Sequence, residues 1–153
     1  MGPAPPRFYL DTEFNGFGGQ LISMALVGED ATQVFYEVLP PPERIDPWVN
    51  EHVMPILGKP PIMPNVFLLT LRAFITKHNG MQVFADWPED FTHFCQKMTL
   101  MGASDAFKMP ITCTMYLVHS GDLKPDLPHN ALSDARALRN WHVEQERLWR
   151  GGE

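Results

Sequence analysis

Four carboxylic acids and one histidine occur along this chain in an order that suits metal-dependent hydrolysis. Asp11 and Glu13 lie in FYLDTEF, Asp90 lies in VFADWPEDFTHF, and His129 and Asp134 lie in PHNALSDA. Carboxylate oxygens are good ligands for Mg²⁺, and two such ions can clamp a phosphodiester while a histidine activates water. The set therefore predicts a two-metal site that cleaves phosphodiester bonds.

The first pair of acids has a geometric reason to act together. Side chains two residues apart on a strand leave the same face of a sheet, so Asp11 and Glu13 project side by side if FYLDTEF is a strand. Like charges on one face repel each other unless a cation lies between them. The alternative is a solvated strand edge, because a D-x-E motif alone often arises by chance.

The last pair lies at the start of a helix predicted over residues 130–149. Asp134 falls one turn into that helix and His129 precedes it, so the imidazole could reach a water on a metal held by Asp134. The alternative is that Asn130 or its neighbour caps the helix, Asp134 complements its positive end, and His129 is a surface residue.

The third carboxylate is open between Asp90 and Asp86. Asp86 ends a strand predicted over residues 81–86 and could cap the helix that follows, whereas Asp90 lies in the first turn of that helix. We favour Asp90 because Phe94, one helical turn later, could anchor that face of the helix in the core. The alternative is that Glu89 and Asp90 only complement the helix dipole.

The rest of the chain reads as α/β, with strands and helices that must bring these residues together. Apolar periodicity and turn signals predict strands at 8–14, 21–28, 32–38, 81–86 and 111–117, and helices at 46–53, 65–78, 88–98 and 130–149. The hairpin-type connections suggest that the first three strands are antiparallel neighbours. The segment PPPERIDP is predicted to be irregular. A length of 153 residues favours one domain over 1–153.

Composition is that of an ordinary globular protein, with 44% hydrophobic and 20% charged residues. No apolar run reaches membrane-spanning length, so no membrane association is expected. The N-terminus lacks a signal-peptide pattern, and Cys95 and Cys113 lack metal-like spacing. Free, buried thiols in a reducing cytoplasm are the expectation.

A net charge of −6 is unusual for a protein that binds nucleic acid. Two bound divalent cations would offset most of this negative charge, and they would do so at the position of the scissile phosphate. Weak non-specific binding and short substrates are still expected.

Taken in order, these motifs resemble the DEDDh family of 3′–5′ exonucleases, whose members have an RNase H-like fold. D-T-E-F is similar to the first family motif at Asp11 and Glu13, and H-x-x-x-x-D is similar to the third at His129 and Asp134. The second motif departs from the commoner form, which has an Asn-containing stretch ahead of Phe/Tyr-Asp. Here it reads ADWPED, which leaves the third carboxylate open.

Among family members, the chain most resembles the short bacterial and phage exoribonucleases related to RNase AS. The likeness lies in the Tyr-Asp-Thr-Glu-Phe-like start, in L-I-S of the second strand, and in a W-V-x-x-H-V-x-P-x-L segment from Trp48 to Leu57. His52 within that segment is expected to be structural, through packing or capping, rather than catalytic.

The resemblance implies an RNase H-like mixed five-stranded sheet flanked by helices. It implies that two Mg²⁺ or Mn²⁺ ions are held by the four acids already named, Asp11, Glu13, Asp90 and Asp134. It further implies that His129 takes a proton from the attacking water, and that nucleoside 5′-monophosphates leave from a 3′ end. Single-stranded RNA is favoured over DNA as the partner, and a homodimer is suggested by analogy with the RNase AS-like relatives.

Aromatic residues beside the motifs are candidates for substrate binding. Phe14, Phe17 and Trp87 could stack on the terminal base, and Glu13 could also accept a hydrogen bond from the terminal ribose hydroxyl. Core packing is the alternative for the aromatics, and we favour it for Phe14.

Three other functions fit parts of the pattern. The first is a catalytically silent RNase H-like binding module, which the presence of all five candidate residues disfavours. The second is a proofreading-type DNA exonuclease, because a metal site does not read the sugar. The third is a metal-dependent enzyme acting on small phosphates or dinucleotides, which the acidic composition and short length permit.

Overall fold

The structure is a computed structural model that describes residues 2–102 and 111–151. It is mixed α/β, and a mixed sheet of five strands lies at its centre in the order β3-β2-β1-β4-β5. The strands are β1 (Arg7–Phe14), β2 (Leu21–Gly28), β3 (Val34–Val38), β4 (Gln82–Ala85) and β5 (Thr114–Leu117). All five predicted strands are present, although β3, β4 and β5 begin later than the apolar pattern suggested.

The described helices flank this sheet and match the predicted ones. They are α1 (Pro47–His52), α2 (Pro64–Lys77), α3 (Pro88–Gly102) and α4 (Ala131–Gly151), and a short 3-10 turn, Met54–Ile56, follows α1. The first three begin with proline, whose fixed φ and missing N–H suit the first position of a helix. No helix in the described ranges is long and apolar enough to cross a membrane.

Strand β1 lies in the middle of the sheet and determines where its acidic residues go. It pairs antiparallel with β2, which pairs antiparallel with β3, as the hairpin connections predicted. On its other side β1 pairs parallel with β4, and β4 pairs parallel with β5. The carboxyl ends of β1 and β4 therefore lie side by side, at the edge of the sheet that Asp11, Glu13 and Asp86 occupy.

The two faces of the sheet have separate cores. Phe8 and Leu10 of β1 pack on the side of α2 and α3, together with Phe94. Tyr9 points to the opposite face and packs with Leu138 of α4. This alternation places Asp11 and Glu13 on the α4 face, and it places Thr12 between them on the α3 face.

The turn that follows β1 is tied to the entrance of α1. Asn15 donates from Nδ2 to the Arg44 carbonyl at 2.6 Å, and its Oδ1 accepts from the Asp46 N–H at 2.7 Å. Asp46 caps α1 by accepting from the Trp48 and Val49 N–H groups. The helix predicted to start at Asp46 is thus confirmed, and so is the irregular proline-rich segment before it.

Candidate active site

Carboxylates from three parts of the chain meet at the carboxyl ends of β1 and β4. One set contains Asp11, Glu13 and Asp134, and a second contains Asp11, Asp86 and Asp90. Within each set, one oxygen of every residue lies within 4.8 Å of the others. The structure therefore brings together all four predicted acids and the alternative Asp86, with Asp11 common to both sets.

Asp11 lies at the centre of this cluster. Its Oδ2 atom is buried and has no hydrogen-bond partner among the described residues. Burial raises the pKa of Asp11 well above its ordinary range, and the negative charges of Asp90, Glu13 and Asp134 raise it further. A carboxylate in this position needs either a proton or a cation to offset its charge.

Glu13 and Asp134 form the side of the cluster nearest α4. Burial, followed by the charge of Asp134, raises the pKa of Glu13 to about 9. Burial also raises the pKa of Asp134 to about 6, although hydrogen bonds from Glu13 and from the His129 backbone oppose that change. A proton shared between Glu13 and Asp134 relieves their repulsion, and a divalent cation bound to the same oxygens would also relieve it.

Asp90 approaches the cluster from α3 and is only 1% exposed. Its Oδ1 accepts from the Thr12 hydroxyl at 2.7 Å and from the Thr12 N–H at 3.1 Å. Its Oδ2 is buried without a hydrogen-bond partner in the described part of the chain. Burial raises the pKa of Asp90 to about 7, despite the opposing hydrogen bonds from Thr12. Phe94 is fully buried and anchors this face of α3, as predicted.

Asp86 lies in the same cluster but has a different environment. Its Oδ2 accepts a hydrogen bond from the Ser120 hydroxyl at 3.0 Å. Asp90 is pinned to β1 through Thr12 and keeps one buried oxygen without a partner, whereas one oxygen of Asp86 is bonded to a loop side chain. The preference for Asp90 as the third carboxylate stays a prediction, because both residues lie beside Asp11.

His129 lies next to the cluster in an unusual backbone conformation, with φ of 69°. Its backbone N–H donates to Asp134 Oδ2 at 3.1 Å, and its side chain is exposed. Its ring packs edge-on against Trp48, with ring centroids 4.9 Å apart. A non-glycine residue at positive φ is uncommon and is often found where a site requires it.

The loop that carries His129 is fixed by a buried amide. Asn130 Oδ1 accepts from the Ser133 N–H at 3.1 Å and so caps α4. Its Nδ2 donates to the Ile56 carbonyl at 2.9 Å and to the Tyr36 hydroxyl at 3.2 Å. The capping role considered for Asn130 is therefore real, and it coexists with the carboxylate cluster rather than replacing it.

A cleft of about 520 Å³ opens beside the acids and has aromatic walls. Phe14, Phe17, Trp48 and Trp87 all line it. Phe17 is 93% exposed on the turn after β1. Phe14 is half-buried and packs against His93 with ring centroids 4.9 Å apart. The three aromatics predicted to bind substrate are thus in one cleft, and Phe14 also contributes to packing as favoured.

Reasoning from the sequence missed Thr12 and Trp48. Thr12 lies inside the D-T-E motif, and strand alternation could have placed it on the face opposite the acids, towards the helix that carries Asp90. Trp48 lies in the W-V-x-x-H segment, which was used only as a mark of resemblance. His52 in that segment stacks on Trp48 and bonds through Nδ1 to the Trp48 carbonyl at 2.9 Å, in line with the structural role expected for it.

The donor set fits a hard divalent cation. Every ligand offered by the two sets is a carboxylate oxygen, which suits Mg²⁺ or Mn²⁺ and does not favour thiophilic metals. Buried polar atoms in folded proteins nearly always have partners, so the free oxygens of Asp11 and Asp90 call for one. A cation bound between the helices and β1 would supply it.

A scan against models of known protein families finds no match for this chain, and a search of curated proteins finds no match either. The geometry of the site and the motifs in the sequence therefore carry the functional proposal.

Proposed function

We propose that this chain is a metal-dependent 3′–5′ exonuclease of the DEDDh type, with an RNase H-like fold. The observation that carries the proposal is the position of Asp11, which belongs to both carboxylate sets and is flanked by the other acids. One carboxylate shared between two oxygen-rich sets is what a two-metal site requires. The strand order, with three antiparallel strands followed by two parallel ones, supports the RNase H-like assignment.

Each acid has a role in holding the metals. Asp11 would contribute to both ions, Glu13 and Asp134 would complete the first set, and Asp90 would complete the second. Bound Mg²⁺ or Mn²⁺ would stabilise the negative charge that develops on the attacking and leaving oxygens of a phosphodiester. The hydrogen bonds from Thr12 orient Asp90 towards this position, because they leave only Oδ2 free.

His129 would act as the general base. The hydrogen bond from its backbone N–H to Asp134 keeps His129 next to the first carboxylate set. An imidazole in this position can accept a proton from the attacking water. The water oxygen would bond to the phosphorus while the bond from phosphorus to O3′ of the preceding nucleotide breaks, so that the shortened strand keeps a 3′-hydroxyl and the terminal nucleotide leaves with a 5′-phosphate. The products would be nucleoside 5′-monophosphates.

The cleft supports a substrate bound through its last few nucleotides. A volume of about 520 Å³ suits a terminal nucleotide and is too small for a duplex. Phe17 and Trp87 would offer ring faces to bases, and Glu13 would accept a hydrogen bond from a ribose hydroxyl. The last contact favours RNA over DNA, because the 2′-OH is the group that distinguishes them.

The partner is accordingly single-stranded RNA, which would be bound close to its 3′ end rather than along an extended basic surface. A net charge of −6 disfavours tight binding to a long nucleic acid. A homodimer belongs to the same proposal by analogy with RNase AS-like exoribonucleases, and a cytoplasmic location belongs to it because Cys95 and Cys113 are free thiols.

Digestion of matched RNA and DNA strands tests the proposal. With Mg²⁺, a 5′-labelled single-stranded RNA should give a descending ladder, and a 3′-phosphate should block it. Cleavage should stop in EDTA and in the Asp11→Asn variant. Full activity in excess chelator would overturn the metal mechanism, and release of the 5′ nucleotide first would overturn the polarity.

Two variations of that experiment separate the rival functions. Equal or faster cleavage of the DNA strand would favour a proofreading-type enzyme and refute the RNA preference. A series of RNA lengths with activity only on the dinucleotide would favour an enzyme for small phosphates. Binding of RNA without any cleavage would favour a silent module.

A further inference from the structure

The rings of His52, Trp48 and His129 pack together in one cluster beside the cleft, and Trp48 lines that cleft. His52 stacks on Trp48 with ring centroids 4.6 Å apart and an interplanar angle of 20°. Trp48 in turn meets His129 edge-to-face, with centroids 4.9 Å apart and an angle of 79°. Aromatic pairs prefer such offset and edge-on arrangements, with centroids about 4.5–7 Å apart. This cluster therefore links α1 directly to the proposed general base.

The His129 side chain has few other restraints. Its backbone is held by the bond to Asp134, but its ring makes no hydrogen bond within the described part of the chain. Its ring contacts there are with Trp48 and, at 6.3 Å, with His52. The hydrogen bond from the backbone N–H fixes the position of the His129 main chain, and the contact with Trp48 restrains the orientation of the imidazole ring.

Trp48 is itself firmly held, although it is 49% exposed. Its backbone N–H donates to the side chain of the capping Asp46 at 3.0 Å, and its backbone carbonyl accepts from His52 Nδ1 at 2.9 Å. The carbonyl can only accept, so His52 must carry its proton on Nδ1, which fixes that ring one turn away. These bonds hold the backbone of Trp48, and the stacked His52 ring restrains the indole, so a half-exposed tryptophan presents an oriented ring to His129.

We propose that Trp48 is a positioning residue for His129, an inference that rests on the proposed nuclease function. A general base must lie within hydrogen-bond reach of the attacking water, and a misplacement of 1 Å can cost about 10²-fold in rate. Trp48 lines the same cleft as Asp11, Glu13 and Asp90, and the His129 ring packs against it. His52 supports this arrangement by stacking on a face of the indole, with its own ring centroid 6.3 Å from that of His129.

Steady-state kinetics of Trp48→Leu and Trp48→Phe on a short single-stranded RNA test the inference. Leucine removes the ring edge, so kcat should fall by about ten- to a hundredfold while KM changes little. Phenylalanine keeps an aromatic edge, so it should restore most of the lost kcat. Trp87→Leu provides a comparison from the same cleft wall, and it should raise KM because Trp87 contacts the substrate rather than His129.

A second readout does not depend on activity. The ring protons of His129, observed by NMR in protein labelled at histidine, lie in the ring current of Trp48 and should shift in Trp48→Leu. They should shift much less in Trp48→Phe. Trp149→Leu is the matched control, because Trp149 is 82% exposed near the end of α4 and should leave both kcat and the histidine signals unchanged.

The two readouts distinguish the possible failures. If the wild-type protein cleaves no nucleic acid, the proposed function fails, and the NMR shift alone decides whether Trp48 holds His129. A raised KM with unchanged kcat in Trp48→Leu would make Trp48 a substrate contact only and overturn the inference. A raised kcat, unchanged His129 signals, or equal losses of kcat in the leucine and phenylalanine variants with wild-type melting temperatures would also overturn it.

Discussion

The two ends of β1 differ in whether their charged side chains are paired with opposite charges. At its start, Arg7 forms ion pairs with Glu29 at 3.1 Å and with Glu146 at 2.8 Å. At its far end, Asp11 and Glu13 face further carboxylates, and no cation among the described side chains is paired with them. Opposite charges are paired at one end of the strand, and like charges accumulate at the other.

The pKa values of carboxyl groups at the two ends move in opposite directions. Hydrogen bonding to Arg7 lowers the pKa of Glu146, and the same bond raises the pKa of Arg7. Burial and mutual repulsion raise the pKa of Asp11, and burial raises those of Glu13 and Asp90. The first end resembles a structural ion network. The second is unfavourable until something positive binds, which is characteristic of functional sites.

The largest effect is expected from Asp11→Asn. Turnover should fall by about 10³-fold or more, because the residue common to both carboxylate sets loses its charge. Yet the metal-free variant should be more stable than the wild type, since one of several repelling buried charges is gone. Kinetics with Mg²⁺ and urea unfolding in EDTA measure the two effects. Wild-type turnover in this variant would show that the acidic end is not catalytic.

His129→Ala should have the next largest effect. Loss of a general base typically costs about 10²–10⁴ in rate, and the carboxylates that bind metal remain in place. Metal binding, followed by calorimetry, should therefore stay close to that of the wild type. Unchanged turnover from about pH 6 to about pH 9 would show that another group accepts the proton.

Asp90→Asn and Asp86→Asn distinguish the two candidates for the third carboxylate. We expect Asp90→Asn to be nearly inactive, because Asp90 is fixed to β1 by Thr12 and keeps a buried oxygen free for a cation. Asp86→Asn should retain much of its activity, because an asparagine oxygen can still accept from Ser120. An inactive Asp86 variant beside an active Asp90 variant would reverse the assignment.

The stability of the metal-free protein should depend on pH in a direction set by the acidic end. Carboxyls with raised folded-state pKa values bind more protons when folded than when unfolded. Their contribution to the free energy of unfolding is therefore present below about pH 4 and is lost as the pH rises through about 6 to 9. Urea unfolding in EDTA at several pH values measures this slope.

Magnesium should reverse that trend. At about pH 8 the ionised carboxylates bind the cation, and a hundredfold excess over Kd adds about 2.7 kcal/mol to the free energy of unfolding. At about pH 5 protons compete, so the gain should be smaller. Asp90→Asn should reduce both the pH slope and the magnesium gain. An equal gain at both pH values would indicate that the cation binds elsewhere.

The acidic end of β1 was predictable because its geometry follows from local rules. Strand alternation places Asp11 and Glu13 on one face, and the start of α4 places Asp134 in its first turn. The place of Trp48 was not predictable, because it depends on long-range hydrogen bonds made by Asn15 and Asn130. No periodicity in the sequence reports such bonds.

The ion pairs at the start of β1 and the choice of the third carboxylate could not be predicted from the sequence either. Arg7 and Glu146 are separated by almost the whole chain, and nothing in the spacing of either residue suggests the other. Asp86 and Asp90 are both carried to the same edge by β4 and the start of α3, so local pattern cannot rank them. Which oxygen stays free depends on Thr12 and Ser120, side chains from other segments.

The smallest effect is expected from Glu146→Gln at the paired end of β1. The free energy of unfolding should fall by about 1 kcal/mol at neutral pH, because Arg7 loses a partly buried, charge-assisted partner. Turnover with Mg²⁺ should not change, since this end lies away from the cleft.

The pH dependence of that loss has the opposite sign to that of the acidic end. The folded-state pKa of Glu146 is lowered, so its contribution is present above the ordinary glutamate pKa and is lost as the pH falls through the folded value. The difference in urea unfolding between wild type and variant should therefore be full at about pH 7 and should shrink as the pH falls below the ordinary glutamate range. A variant more stable than the wild type at neutral pH would mean that Glu146, like the acids at the other end of β1, carries a charge that the fold does not balance.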